Sequence, residues 1–169
     1  MFNRSRRGNA MLELALATGI LVPAFTGTFQ FGYTFYVYNN LESAVRGGAR
    51  YASMRNYDSR TSTPSTAFST AVQNMVVYGN TDGTGTPVAP DLTTANVQVL
   101  PNMKGAIPES ITVQINNFAV NAIFKTYTFN TKPSTTCQMV HKRKLPSCPS
   151  QIQLNRYFRF SELLEWFQA

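Results

Sequence analysis

The feature that most constrains this chain is a long uncharged stretch near its N-terminus. No residue of Leu14–Leu41 carries a charge. As an α-helix, these about 28 residues would be roughly 40 Å long, whereas the hydrocarbon core of a bilayer is about 30 Å thick. We place the apolar part at Leu12–Tyr36, because polar side chains become more frequent after Gln30. The sequence therefore predicts one transmembrane helix.

The charges on either side of this stretch predict its orientation. Three arginines precede the span, whereas a smaller positive excess follows it: the residues are Arg4, Arg6 and Arg7 before it, and Glu42, Arg46 and Arg50 after it. The positive-inside rule therefore predicts a cytoplasmic N-terminus and an external C-terminal domain. Aromatic side chains crowd the outer end of the span, where an interfacial belt is expected.

Two other interpretations of the stretch are less favourable. A cleaved secretory signal ending at Ala15-Leu16-Ala17 would leave Ile20–Tyr38 as an exposed apolar start of a secreted protein. A buried core helix would have to be shorter, because a small domain cannot surround about 28 uncharged residues. Membrane insertion remains the interpretation that the residues favour.

Glu13 stands just inside the apolar stretch, where an ionised carboxylate is costly unless it is paired. One interpretation is that Glu13 lies shallow and reaches the lipid headgroups. The other starts from spacing: basic residues, then Gly8, then Glu13 five positions later at the start of an apolar helix resemble the prepilin signal of type IV pilins. That resemblance implies cleavage between Gly8 and Asn9 by a membrane peptidase. It also implies that the freed amine of Asn9 pairs with Glu13 of a neighbouring subunit and sets the axial register between helices.

A narrower resemblance rests on residues beyond this signal. They are Gly8–Leu16, Pro23, Phe31, Gly32, Tyr36, Asn39 and Ala44–Ala52. With these residues the chain is similar to the TadE family, the pilin-like proteins of tight-adherence pilus systems. The resemblance is strong over Arg7–Ala52, looser over about Thr70–Lys132, and absent after that.

The resemblance to the TadE family implies a minor, non-catalytic, pilin-like subunit with no cofactor. The implied partners are the lipid bilayer, other pilin-like subunits, the pilus assembly machinery and a dedicated prepilin peptidase. The implied location is the bacterial inner membrane, crossed once, with access to a surface pilus. A rival hypothesis is a membrane-tethered adhesion or binding module that uses the helix as an anchor and has no role in a filament.

A narrow face of mostly small side chains follows the span. These residues recur at helical spacing, and small side chains let another helix approach closely. One interpretation is a plain amphipathic stalk with solvated arginines, and the other is a seam that packs against another pilin-like subunit. The face consists of Leu41, Ala44, Val45, Gly48, Ala49 and Ala52.

The residues after this helix predict a small domain, so that the fold class is α+β. The polar segment Asn56–Thr66 predicts a loop, and an apolar stripe after it predicts a short helix capped by Ser65 or Thr66. Alternating residues predict two half-buried antiparallel strands, and Ala119–Phe129 predicts a third. The helix stripe is Phe68, Ala71, Val72, Met75 and Val76; the strands contain Val97 and Val99, then Ile111, Val113 and Ile115, then Ile123, Tyr127 and Phe129.

Charge and composition argue against several other functions. The net charge is +7, but the middle of the chain is balanced and has no basic stripe with aromatics, so we expect no nucleic-acid partner. The loop Gly79–Gly85 lacks the following helix and lysine that a phosphate site needs. The only histidine, His141, lies near Cys137 and Cys148, but a structural zinc site needs four ligands. We expect neither an enzyme nor a metal site.

The chain changes character from Cys137 onward. Two explanations stay open: an appended segment that docks on the domain, and a shifted reading frame that gives an accidental tail and leaves residues after Thr136 poorly ordered. Cys137 and Cys148 fit either one disulfide in an oxidising compartment or two unpaired thiols. The appended segment would dock through Phe160, Leu163, Leu164 and Phe167.

These observations divide the chain into four parts. Residues 1–8 form a prepilin-type leader, and residues 9–55 form the transmembrane and stalk helix. Residues 56–136 form the extracytoplasmic α+β domain, and residues 137–169 form the atypical tail.

Overall fold

The computed structural model describes residues 4–121, 126–139 and 148. Helix α1 (Arg4–Met54) is followed by helix α2 (Thr66–Tyr78) and a short 3-10 helix (Thr94–Asn96). The strands of the described part are β1 (Val97–Lys104), β2 (Ile107–Ile115), β3 (Phe118–Asn121), β4 (Thr126–Phe129) and β5 (Ser134–Gln138). The predicted α+β class, with a long N-terminal helix and a small antiparallel domain, is confirmed.

Helix α1 has 51 residues and includes Pro23. At about 1.5 Å per residue it is roughly 76 Å long, more than twice the thickness of a hydrocarbon core. It ends at Met54, next to the predicted end at residue 55, where the polar loop begins. A helix of this length therefore extends well beyond any bilayer that its first half could cross.

Helix α2 has well-defined signals at both ends. The backbone N–H of Phe68 donates to Oγ of Ser65 at 3.1 Å, and the N–H of Gly79 donates to the carbonyl of Met75 at 3.1 Å. Gly79 has a φ of 73°, which glycine adopts without strain. Ser65 is therefore the N-cap, while Thr66, the other predicted cap, is the first helical residue.

The main sheet has the strand order β1-β2-β5 and is antiparallel throughout. Val113 of β2 is paired with Val99 of β1 and Thr135 of β5, and Ile111 is paired with Pro101 and Cys137. Pro101 lies on an edge strand, where its missing N–H is tolerated. Ile111, Val113 and Ile115 alternate along β2, share one face of the sheet and belong to the core that the helices also form.

The segment predicted as a third strand forms a hairpin instead. Within Ala119–Phe129, β3 and β4 pair antiparallel as a separate two-stranded sheet, and Ile123 lies outside the described residues. The rings of Phe118 and Phe129 are paired across the hairpin and stack with centroids 6.5 Å apart. The single-strand prediction was wrong because apolar alternation does not reveal where a chain reverses.

Strand β5 was not predicted, and it crosses the boundary placed after Thr136. Its sequence is rich in serine and threonine, so it lacks the apolar alternation that marks a strand. Pairing with β2 makes it a strand, and its Cys137 is fully buried. Residues 140–147 and 149–169, including His141 and the tail residues Phe160, Leu163, Leu164 and Phe167, lie outside the described residues.

Candidate functional site

The C-terminal half of α1 is built into the domain. Leu41, Val45, Ala49 and Ala52 are each 0% exposed and share one core with α2 and the main sheet. Gly48 is also buried, and Ala44 packs against the same core. The face predicted as a plain stalk or an intersubunit seam is therefore occupied by the chain's own domain. The sequence identified the face but not its partner.

Gly48 lies where α1 and α2 pack closely. A Cβ atom placed there would lie 2.3 Å from Cγ2 of Val76. Non-bonded carbon atoms do not approach so closely, so a side chain at this position would force the helices apart. The neighbouring Gly47 has nothing within 4 Å of the same hypothetical atom. Gly48 therefore allows α1 to pack closely on α2, whereas Gly47 faces open space.

The N-terminal half of α1 has the opposite environment. Every residue of Ala10–Phe25 is exposed, including Met11 and Ile20 at 76% each. A shallow apolar groove runs beside Gly19 between Leu14 and Pro23. In water such a surface would be unfavourable, so it requires lipid or other apolar helices around it.

Burial begins inside the predicted apolar part, Leu12–Tyr36. Gln30 is 3% exposed and Val37 is 2% exposed, whereas Phe31 and Tyr36 remain exposed at 51% and 63%. From Gln30 onward, one side of the helix is thus buried and the other is exposed. The part of the helix without a buried side chain therefore ends near Phe29, inside the predicted apolar part. From Leu12 to Phe29 is roughly 27 Å of helix, close to the thickness of a hydrocarbon core at about 30 Å.

The threonines of this half satisfy their hydroxyl groups within the helix. Thr18 donates to the carbonyl of Leu14 at 2.7 Å, and Thr26 donates to the carbonyl of Val22 at 2.8 Å. Thr28 and Thr34 donate in the same way, at 3.0 Å and 3.1 Å, to residues four positions earlier. In lipid every polar group needs an internal partner. These bonds make the threonines compatible with a hydrocarbon environment.

Gly8, Asn9 and Glu13 all lie within α1. Glu13 is exposed at the start of the apolar half. It follows Asn9 by about one helical turn, or roughly 6 Å along the axis. Glu13 therefore lies about one helical turn after the peptide at which cleavage is predicted.

An aromatic contact and an ion pair lie where the β3–β4 hairpin meets α1. The ring of Tyr38 lies 5.8 Å from that of Phe129, and Glu42 and Arg46 form an ion pair at 2.5 Å. Burial is the main cause that raises the pKa of Tyr38; Glu42 raises it further, and Arg46 opposes them. The phenol is therefore held neutral where the β3–β4 hairpin meets the helix.

Of the two states that the sequence left open for Cys137 and Cys148, the structure shows the disulfide. The sulfur atoms of Cys137 and Cys148 are bonded at 2.05 Å. Among the described residues, no three His, Cys, Asp or Glu side chains are grouped as a metal site would require. The longest run of exposed apolar side chains in the described residues lies in the N-terminal half of α1.

The fold and this surface define a class of protein: a small α+β domain carried by one N-terminal helix. Within the described part, α1 is the one helix that is long and apolar enough to cross a membrane. Such a helix is consistent with a single-pass membrane protein.

Comparison with known families identifies the helix more narrowly. The model of a family described as TadE-like protein matches residues 8–50. The resemblance to the TadE family is therefore confirmed over this segment, which includes Gly8, Asn9, Glu13 and most of α1. The match ends before α2 and the sheets. No curated protein and no solved structure matches the chain. A TadE-like segment is associated with pilin-like proteins of Tad pili, which are not known as enzymes.

Proposed function

We propose that this chain is a pilin-like, non-catalytic subunit that is anchored in the bacterial inner membrane and serves the assembly of tight-adherence pili and surface attachment. One observation carries the proposal. A single helix exposes apolar side chains over Ala10–Phe25, a segment with the acidic Glu13 near its start, while its other half is fixed in a folded domain. The exposed half is thus available to lipid first and to neighbouring subunits later.

The role of Glu13 follows from electrostatics in a low-dielectric environment. A carboxylate at the start of an apolar helix loses hydration when other helices or lipid surround it. Cleavage between Gly8 and Asn9 would free an amine, and its positive charge on one subunit would neutralise Glu13 on the next. Because opposite charges attract far more strongly where water is excluded, this pair would select one axial offset between neighbouring helices.

Processing is tested by the mass of the mature chain. We expect the protein isolated from its membrane to begin at Asn9. Gly8→Leu should retain the leader, because a bulky side chain replaces the smallest one at the scissile peptide. Ser5→Leu, which adds comparable bulk three residues earlier, should be processed normally. A mature chain that keeps its initial methionine would contradict the proposed cleavage.

The intersubunit role is tested by Glu13→Gln, with Glu13→Asp as the charge-preserving control. We expect Glu13→Gln to lower co-assembly with pilin-like subunits strongly, measured by cross-linking between helices, while membrane insertion is retained. Glu13→Asp should keep most of the assembly. If Glu13→Gln assembles like the parent, the rival function as a membrane-tethered adhesion or binding module is favoured, since a tether needs no charge at this position.

Orientation is tested separately from assembly. The arginines at the start of the chain predict a cytoplasmic N-terminus and an external domain. An enzyme reporter that is active only outside the cytoplasm, fused after residue 169, should be active. Replacing Arg4, Arg6 and Arg7 by glutamine should reduce that activity. An inactive reporter on the parent chain would contradict the orientation.

A further inference from the structure

The disulfide joins an edge strand to a residue beyond the sheet. Cys137 and Cys148 are 11 positions apart in sequence, and Cys137 lies in β5 opposite Ile111 of β2. The Cys137 side chain is 0% exposed, whereas Cys148 is only partly buried against the same core. The two sulfur atoms therefore differ in their access to solvent.

Strand β5 is an edge strand, so it has a pairing partner on one side only, and its other described contacts are with α1. It is five residues long and pairs with β2. The hydroxyl groups of Thr112 and Thr136 are hydrogen-bonded at 2.7 Å, and the N–H of Met139 donates to the carbonyl of Glu109 at 3.0 Å. An edge strand, which is paired on one side only, opens more easily than a central strand. A covalent bond at Cys137 would limit that opening.

We propose that oxidation by a thiol–disulfide oxidoreductase through Cys148 secures the edge of this sheet. The Cys148 thiolate attacks the disulfide of the oxidoreductase, which forms a mixed disulfide and releases the first thiol of the oxidant. The Cys137 thiolate then attacks Sγ of Cys148, forms the Cys137–Cys148 bond and releases the second thiol. Two thiols of this chain are oxidised, the disulfide of the oxidoreductase is reduced to a dithiol, and both protons pass to the released thiolates.

The order of the two attacks follows from accessibility. A thiol must reach the disulfide of its partner, so the partly buried Cys148 reacts first and the enclosed Cys137 resolves the mixed disulfide. Disulfides form and persist in oxidising compartments and are rare in the cytoplasm, so the oxidation needs an oxidising compartment. In the cell the step thus rests on the proposed external location of the domain. Purified protein tests its chemistry independently of any role in a pilus.

The order of attack is tested with full-length protein in detergent micelles. Cys137→Ser leaves only Cys148, and Cys148→Ser leaves only Cys137. With oxidised glutathione as the probe and intact mass as the readout, Cys148 should form the mixed disulfide at least about tenfold faster than Cys137, because thiol reactivity follows exposure. In denaturant the two rates should become similar. Equal rates under native conditions, or faster reaction of Cys137, would overturn the assigned order.

The effect on the sheet is tested by amide hydrogen exchange on the oxidised and reduced parent chain. Reduction should increase exchange in Ser134–Gln138 while the β1–β2 pairing stays protected. The double variant Cys137→Ser/Cys148→Ser should match the reduced parent, which separates loss of the bond from effects of the reductant. Unchanged exchange in β5, or equal loss of protection in all three strands, would overturn the idea that the bond secures the edge.

Discussion

The two halves of α1 belong to one continuous helix but place similar side chains in opposite environments. Leu16 is 64% exposed in the first half, whereas Leu41 is 0% exposed in the second. The first half has apolar side chains on every side, and the second half directs a narrow face of small residues into the domain. Hydrophobicity alone therefore does not decide burial in this molecule. The difference is made by α2 and the main sheet, which cover the second half only.

This contrast assigns the two halves to different tasks. A helix that is apolar all round needs lipid or other helices as its environment, whereas a helix with one apolar face is satisfied by its own domain. The second half thus fixes the domain to the helix and leaves the first half free for the membrane and for other subunits. Mutations in the two halves should therefore have separable consequences.

The largest expected effect is the difference in stability between two leucine-to-alanine variants, one in each half of α1. Leu41→Ala should destabilise the domain by about 2–5 kcal/mol, because it empties a fully enclosed site. Leu16→Ala should change the same free energy by less than about 0.5 kcal/mol, because the domain does not contact it. Chemical denaturation in micelles, followed by tyrosine fluorescence, measures both. Equal losses would show that the halves are not energetically separate.

Alanine substitutions at the two neighbouring glycines should change the stability of the domain in opposite directions. Gly48→Ala should cost about 1–3 kcal/mol, because its Cβ would overlap Val76. Gly47→Ala should instead stabilise the domain by up to about 1 kcal/mol, because alanine is the better helix former and the site is open. The same denaturation experiment decides between them. A stabilising Gly48→Ala would refute the close approach of α1 and α2.

The N-cap of α2 tests the element that covers the second half of α1. Ser65→Ala removes the acceptor for the N–H of Phe68 and should cost about 1 kcal/mol. Ser62→Ala, in the exposed loop before it, is the matched control and should be close to neutral. If the two variants are equally stable, the cap does not contribute to holding α2 on α1.

The smallest expected effect is a change in alkaline stability at the boundary between the halves. Burial raises the pKa of Tyr38 above its ordinary value of 10.0, so the folded state favours the neutral phenol. Its contribution is fully present below pH 10.0 and is lost as the pH rises through the raised value. Tyr38→Phe should therefore make the decline in unfolding free energy above pH 10.0 less steep.

Some slope should remain in this variant, because burial also raises the pKa of Tyr57. Denaturation curves of parent and variant at several alkaline pH values make the comparison. An unchanged or steeper decline in Tyr38→Phe would show that this phenol does not contribute to alkaline unfolding.

Local sequence signals were enough for several elements. The uncharged stretch and its flanking arginines predicted the long helix, and the polar residues after it predicted where the helix ends. Ser65, with the apolar stripe after it, predicted α2, because caps and helical periodicity act within a few residues. Alternation predicted β1 and β2 for the same reason. The TadE-like resemblance also rests on one continuous segment of the chain, residues 8–50.

By itself, the sequence determined that α1 exists, that its first half is apolar all round, and that a face of small residues follows. It did so because these properties depend on neighbours along the chain. Only the tertiary structure decided that this face packs on α2 and the sheet, that Gln30 is buried, and that β5 becomes a strand through β2. Those outcomes depend on residues distant in sequence, and periodicity shows which side chains share a face without showing what covers it.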